Sequence, residues 1–358
     1  MAQIVLFGAT GYTGRLTARA LASRGADFAL AGRNRSKLEA LAATVGGPPI
    51  HVAETGDIAS LVNALDGAKV LITCAGPFME LGETAARAAV EAGVHYVDST
   101  GEGPFIARLY DHFDAAARSA DIAMAPAMGF DEVPGDLACT EATEGIERPS
   151  LEVTYALPRE GSTGTVRSAL GIVTSEGTWV EDGVRKPIRA GASTRWAPMP
   201  HPLGPRRAAS FPLAIGELAP RHLDIQDFRC YVTAGGPERA LMKMGVPVLR
   251  TLLAGPARPL IYRAVGGDGQ GPSDEGRAAG KWTILAEASG GSAWRNVVVS
   301  GSDPYGLTAH MLTAAGLEMA SEGYDKKGVL SPVQAFGAER VRSELEDFGV
   351  VIDTYAPV

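Results

Sequence analysis

The tightest constraint on this chain lies at its start. Gln3-Ile4-Val5-Leu6-Phe7 is an apolar run that passes directly into Gly8-Ala9-Thr10-Gly11-Tyr12-Thr13-Gly14 and then into the helix-forming stretch Arg15-Leu16-Thr17-Ala18-Arg19-Ala20-Leu21. A strand, a glycine-punctuated turn and a helix in that order build a receptacle for an anion. Backbone N–H groups at a helix N-terminus reach a diphosphate only where no side chain intervenes, and the helix dipole then favours its charge. The spacing is G-x-x-G-x-x-G rather than G-x-G-x-x-G, and its position between strand and helix gives it meaning. Gly8, Thr10, Gly11, Tyr12, Thr13 and Gly14 are therefore candidate dinucleotide-binding residues.

The pattern repeats downstream. Strands are expected over residues 27–31, 50–53, 69–74, 94–97 and 122–125, and helices over 36–45, 57–65, 80–92 and 105–119. Such alternation predicts an α/β fold with a doubly wound parallel Rossmann sheet. The end of the second strand bears on the choice of dinucleotide. A chain selecting NAD carries Asp or Glu there for the ribose 2′-hydroxyl. This one carries Gly32-Arg33-Asn34-Arg35-Ser36-Lys37. Arg33, with Asn34 and Lys37 or Arg35 assisting, suits a 2′-phosphate bidentately, which predicts NADP. The alternative is an exposed basic helix start, which the helix dipole disfavours. Cys74, Ala75, Gly76 and Pro77 close the fourth strand at the edge where cofactor lies, and are further cofactor-binding candidates or simply a loop.

With 358 residues, two domains are expected. A net charge of −8 argues against a nucleic-acid footprint. Cys74, Cys139 and Cys230 form no C-x-x-C pair, which fits a reducing compartment. No basic-apolar leader precedes the first strand and no uncharged apolar run suits a membrane span, so a cytoplasmic location is expected. His51, His95, His112, His201, His222 and His310 make no ligand spacing, so no metal is expected.

Two further segments are distinctive: His95-Tyr96-Val97-Asp98-Ser99-Thr100-Gly101-Glu102 and Gly129-Phe130-Asp131-Glu132-Val133-Pro134-Gly135-Asp136. With the Gly8–Gly14 turn they resemble the saccharopine dehydrogenase-like oxidoreductases, which include saccharopine reductases and trans-acting enoyl reductases. Gly269-Gln270-Gly271-Pro272-Ser273-Asp274-Glu275-Gly276-Arg277, Asp303-Pro304-Tyr305-Gly306-Leu307-Thr308-Ala309 and Gly328-Val329-Leu330-Ser331-Pro332 extend the likeness. It is strongest over residues 1–137 and 269–340. The resemblance implies a nicotinamide-dependent reductase with a mixed second domain inserted before a C-terminal return, and leaves the substrate open.

The expected division is 1–131 as the Rossmann domain, 132–302 as a substrate and dimerisation domain, and 303–358 as a C-terminal helix and return packing on the first. Beyond Asp136 the alternation stops. Strands are expected over 151–157, 228–233, 281–288 and 296–300, loops over 161–165 and 197–205, and a helix over 166–176. Few helices among separated strands predict a mixed α+β domain on a mostly antiparallel sheet, whose edge would suit a homodimer. Leu241, Met244, Val248 and Leu252 recur at helical spacing beside Lys243, Arg250, Arg258 and Arg263. They read as a core-facing helix with a basic outer side, or as a surface for an acyl chain, carrier or membrane.

Hydride transfer needs a group that polarises the acceptor or supplies a proton. No tyrosine has lysine four residues later, so the Tyr-x-x-x-Lys device of short-chain dehydrogenases is absent. Tyr96, Asp98, Glu102 and Asp131 are the catalytic candidates, with Asp136 nearby. Each has a structural alternative: Asp98 and Asp136 as helix caps, Glu102 in an ion pair, Tyr96 in the core. The expected function is NADPH-dependent reduction of an activated C=C bond of a small or acyl substrate. Reduction of a C=N (saccharopine-type imine) bond and a non-enzymatic NADP-binding regulator are the alternatives.

Overall fold

A computed structural model describes residues 2–158, 170–240, 242, 246–255 and 271–357. The loop expected over 161–165, the beginning of the helix expected over 166–176, and Leu241, Lys243, Met244, Arg258, Arg263, Gly269 and Gln270 lie outside the described residues, as does the side chain of Arg250.

The chain divides into two compact units, each assembled from separate stretches. The first comprises Met1–Thr100, Phe105–Val133 and Pro304–Arg340. Its strands are β1 (Ile4–Phe7), β2 (Phe28–Gly32), β3 (Ile50–Val52), β4 (Val70–Thr73), β5 (His95–Asp98), β6 (Ala123–Ala125) and, from the C-terminal stretch, β15 (Gly328–Val329). They form one sheet in the order β15-β6-β5-β4-β1-β2-β3, and every pairing is parallel. This is the doubly wound α/β arrangement the sequence predicts. The strand order reverses between β1 and β4, the switch point where such sheets bind ligands.

Parallel strands covered on both faces are apolar throughout rather than alternating, and β1, β2 and β4 are buried at every position. Val5, Phe7, Leu71, Tyr96 and Met124 share a core cluster with residues of the helices α3 (Ile58–Ala64), α4 (Phe78–Ala92) and α5 (Gly103–Ser119). On the other side lie α1 (Tyr12–Ser23) and the helix Pro304–Ala320. That last helix approaches closely because Gly316 lacks a side chain: a Cβ there would stand 2.6 Å from Ile72 Cδ1. A C-terminal segment thus completes the N-terminal core.

The second unit comprises Gly101–Pro104, Pro134–Asp303 and Val341–Val358. Its sheet runs β10 (Thr194–Ala197), β11 (Arg206–Ser210), β12 (Asp227–Thr233), β7 (Ser150–Ala156), β13 (Trp282–Gly290), β14 (Ala293–Gly301) and β16 (Val351–Tyr355), with β8 (Gly177–Glu181) and β9 (Val184–Ile188) attached through β12. β7 and β12 pair in parallel and the other pairings are antiparallel. On β7, Leu151, Val153 and Tyr155 are buried on one face, and on the other Glu152 is partly exposed while Thr154 is buried. Glu152 stands directly opposite Glu287. Like charges so placed repel, and Arg195 offsets this by pairing with both carboxylates at 2.6 Å.

The C-terminal stretch expected as a single return is divided. Residues up to Arg340 belong to the first unit, whereas Val341–Val358 belong to the second, where β16 lines the edge of β14. Asp136, read as a helix cap or a cleft residue, lies inside the helix α6 (Glu132–Thr143) and is 0% exposed. It meets His222 Nε2 at 2.6 Å. Val248 and Leu252, for which a core-facing role was one expectation, are 59% and 46% exposed.

Burial pulls the His222 imidazole down, but the Asp136 charge and hydrogen bond beside it override that and leave it above its ordinary value. The pair therefore stabilises fully below about pH 6.5, the unfolded histidine value, and its contribution fades as pH rises through the raised value. Removing one partner of a buried pair leaves an uncompensated charge and costs roughly 3–5 kcal/mol. Denaturant unfolding of His222→Ala at pH 5.5 should show a loss of about that size, and the gap from wild type should narrow by pH 9.

Candidate active site at the strand ends of the first unit

The carboxyl ends of β1, β2, β4, β5 and β6 bring most of the candidate residues to one edge of the parallel sheet. The turn after β1 is held by backbone geometry. Gly8 has φ +75°, and a Cβ on it would lie 2.8 Å from the Ala75 nitrogen. The β1 turn and the Cys74–Ala75 segment after β4 therefore touch backbone to backbone. Gly11 N–H donates to the Gly8 carbonyl at 3.0 Å. A Cβ on Gly14 would stand 2.3 Å from the Gly8 carbonyl oxygen, so only glycine lets α1 begin against the strand end. Gly11 caps α1 without a side-chain hydrogen bond, and its first turn has no acidic residue. A helix start with no side-chain cap and no acidic first turn suits a diphosphate.

Around this turn, Thr13 carbonyl accepts from Thr17 Oγ1 at 3.0 Å. Tyr12 meets Tyr305 edge-on with ring centroids 4.9 Å apart. Thr10 carbonyl accepts a bond from Arg15 Nη1 at 2.8 Å. The sequence pattern drew no attention to Arg15, although a cation in the opening of a helix already ran against the dipole.

After β2, Asn34 caps the helix α2 (Arg35–Ala42), its Oδ1 accepting from Lys37 N at 2.9 Å. Arg35 faces Glu39 at 3.8 Å. Arg33 and Lys37 are exposed, and among the described residues neither makes an ion pair. After β4, Gly76 N–H donates to the Cys74 carbonyl at 3.2 Å and Pro77 caps α4. Burial pushes the Cys74 thiol up to about 12, against hydrogen bonds from Thr17 and Ser99. It is a neutral thiol rather than a nucleophile near neutral pH.

Tyr96 and Asp98, at the end of β5, are both 0% exposed. Tyr96 Oη donates to Asp98 Oδ2 at 2.7 Å. Asp98 Oδ1 accepts from the N–H of Thr100 at 2.8 Å and of Ala127 at 2.9 Å, and the Asp98 carbonyl accepts from Met128 N–H at 2.8 Å. One side chain thereby fixes the loop after β5 to the loop after β6, where Ala127 is held at φ +62°. Burial first, then the Asp98 charge, hold the Tyr96 phenol well above its ordinary value. Both residues are engaged within the fold, and the backbone partners at 100 and 127 were not visible in any local pattern.

Asp131 follows in the same loop. Burial raises its carboxyl to about 6, against hydrogen bonds from its own N–H and that of Glu132. Glu102 is buried in the segment Gly101–Pro104, which belongs to the second unit. A Cβ on its neighbour Gly103 would lie 3.5 Å from Glu217 Cγ. Among the described residues no cluster of histidine, cysteine, aspartate or glutamate is arranged to hold a metal ion. No helix there is long and apolar enough to cross a membrane.

A glycine turn at a helix start, a switch point beside it and the exposed cations Arg33 and Lys37 after β2 define a dinucleotide-binding domain of the kind oxidoreductases use. Residues 4–125 match the family model of the saccharopine dehydrogenase NADP binding domain. A trans-acting enoyl reductase of Mycobacterium leprae (strain TN) is 27% identical over 417 aligned positions, covering 98% of this chain and 97% of that protein. One from Mycobacterium ulcerans (strain Agy99) is 36% identical over 141 positions, covering 38% of this chain and 34% of the relative. Among solved structures, apo saccharopine dehydrogenase (L-Glu forming) from Saccharomyces cerevisiae covers 100% of both chains with a TM-score of 0.66 at 13% identity, which shows a common fold. Residues 4–125 are thus similar to the NADP binding domain of saccharopine dehydrogenases, and NADP is the dinucleotide of the first unit.

The Tyr96–Asp98 bond is testable apart from cofactor binding. Tyr96→Phe removes a donor from a buried carboxylate, which costs about 1–3 kcal/mol. Thermal unfolding should register that loss, while the dissociation constant for NADPH stays within about twofold of wild type.

Proposed function

We propose that this protein is an NADPH-dependent reductase of an activated C=C bond in a small or acyl substrate. The observation that carries this reading is the alignment with trans-acting enoyl reductases over 98% of this chain and 97% of the relative, joined to a ligand edge whose residues suit NADPH. The Gly8–Gly14 turn offers the diphosphate its N–H groups, and Arg33 and Lys37 receive the 2′-phosphate. The Cys74–Pro77 segment lies alongside. When bound, NADPH supplies the hydride.

The chain's own contribution is orientation and a proton. Reduction of a C=C bond conjugated to a carbonyl needs hydride at one carbon and a proton at the other. Asp131 is our candidate donor: burial raises its carboxyl to about 6, toward the range where a carboxylic acid can give up a proton near neutrality. Tyr96 and Asp98 are positioning residues that hold the loop carrying Asp131. Reduction of a C=N bond would use the same hydride and the same acid, and acceptor screening separates the two.

Arg33→Ala should raise the dissociation constant for NADPH about 10- to 100-fold, the worth of a charged hydrogen bond, and leave NADH within about twofold. Equal losses in a fluorescence titration would remove the 2′-phosphate role. For Asp131, the wild-type rate with an enoyl thioester should fall as pH rises through about 6. Asp131→Asn should cut kcat about 100-fold and flatten that limb with NADPH binding intact. A protein that binds NADPH tightly but oxidises it with neither enoyl nor imine acceptors would be a regulator instead.

A further inference from the structure

The opening of α1 carries a charge arrangement that the 2′-phosphate does not explain. Arg15 and Arg19 stand four residues apart on this helix, whose first turn has no acidic residue. Cations at a helix N-terminus oppose its dipole, and like charges at i, i+4 repel. Among the described residues neither arginine has a carboxylate partner. The side chain of Arg15 runs back toward the helix start, as helical side chains do, and Nη1 donates to the Thr10 carbonyl at 2.8 Å. That places the guanidinium on the glycine turn itself. Its carbon also lies 6.0 Å from the centroid of the Tyr12 ring, which Tyr305 braces edge-on.

We propose that Arg15 is a diphosphate-binding residue, supplying the positive charge that the backbone donors of the turn lack. The assignment rests on the dinucleotide reading of this edge and adds a division of labour within it. A guanidinium has five N–H donors in a planar fork that matches phosphate oxygens, and the bond to Thr10 occupies one. An anion on the turn relieves the opposition to the dipole and the repulsion between Arg15 and Arg19 together. Arg15 then acts on the part common to NADPH and NADH, whereas Arg33 and Lys37 act on the phosphate that distinguishes them.

The test is a fluorescence titration with NADPH and with NADH at several salt concentrations, on wild type, Arg15→Gln and Arg15→Lys, with thermal melts of all three. Glutamine keeps a donor for the Thr10 carbonyl and removes the charge; lysine keeps the charge. The expected result is that Arg15→Gln weakens both nucleotides by one common factor of about tenfold or more. Its salt dependence flattens, and Arg15→Lys recovers most of the affinity. Unchanged affinity in Arg15→Gln, or a loss confined to NADPH, overturns the assignment. So does the reverse pattern, with glutamine tolerated and lysine both unstable and weak, which would mark Arg15 as a tether of the turn. Wild-type protein that binds neither nucleotide overturns the dinucleotide reading and this assignment with it.

Discussion

The approach of α1 to the end of β1 is the constraint on which the cofactor edge depends. With a Gly14 Cβ only 2.3 Å from the Gly8 carbonyl oxygen, any larger residue forces the helix away from the strand. The N–H groups of its first turn would then no longer converge on one point. The contact of Gly8 with the Ala75 backbone adds a second fixed neighbour. Two loops, after β1 and β4, are in this way set by main-chain packing. Side chains such as Arg33, Lys37 and Arg15 then supply charge to a cradle whose shape they do not determine. Preorganisation of this kind lowers the cost of ordering when a ligand arrives.

A second level of fixing involves Asp98. Its carboxylate sits where a general acid of the reaction was expected, yet Tyr96, Thr100 and Ala127 saturate it. A buried carboxyl that accepts from three donors in two loops serves to hold those loops together. Asp131, further along the loop that Asp98 anchors, has weaker local support and a raised carboxyl. Two aspartates near one edge thus differ in their surroundings, one anchored by side-chain and backbone donors from three residues and the other raised by burial.

How far this was legible in the sequence follows from the range of each interaction. The strands β1 to β6 and the turn between β1 and α1 were readable because a parallel sheet writes itself as short apolar runs at regular intervals. Arg33 was readable because its place at the end of β2 already carries a chemical meaning. The Asp98 bond to Ala127, 29 residues away, and the Asp136 bond to His222, 86 residues away, leave no local pattern, and both aspartates were open to other readings. β9, which reads Val184-Arg185-Lys186-Pro187-Ile188, escaped notice for a different reason: an exposed edge strand with proline and charges lacks the alternation that marks a buried one.

The helix Pro304–Ala320 sets the order in which this protein can be completed. Ile4 and Ile72 emerge from the ribosome hundreds of residues before Gly316, the residue that packs against them. Until then, one apolar face of the nascent parallel sheet has no cover from that helix. β14 must likewise wait for β16 at the far C-terminus. Neither half can be finished from a contiguous stretch of chain, so domain-by-domain maturation during synthesis is closed to it. A stop before residue 304 would remove the helix that covers this face, and with it part of the first unit's core, rather than leave a small complete cofactor domain.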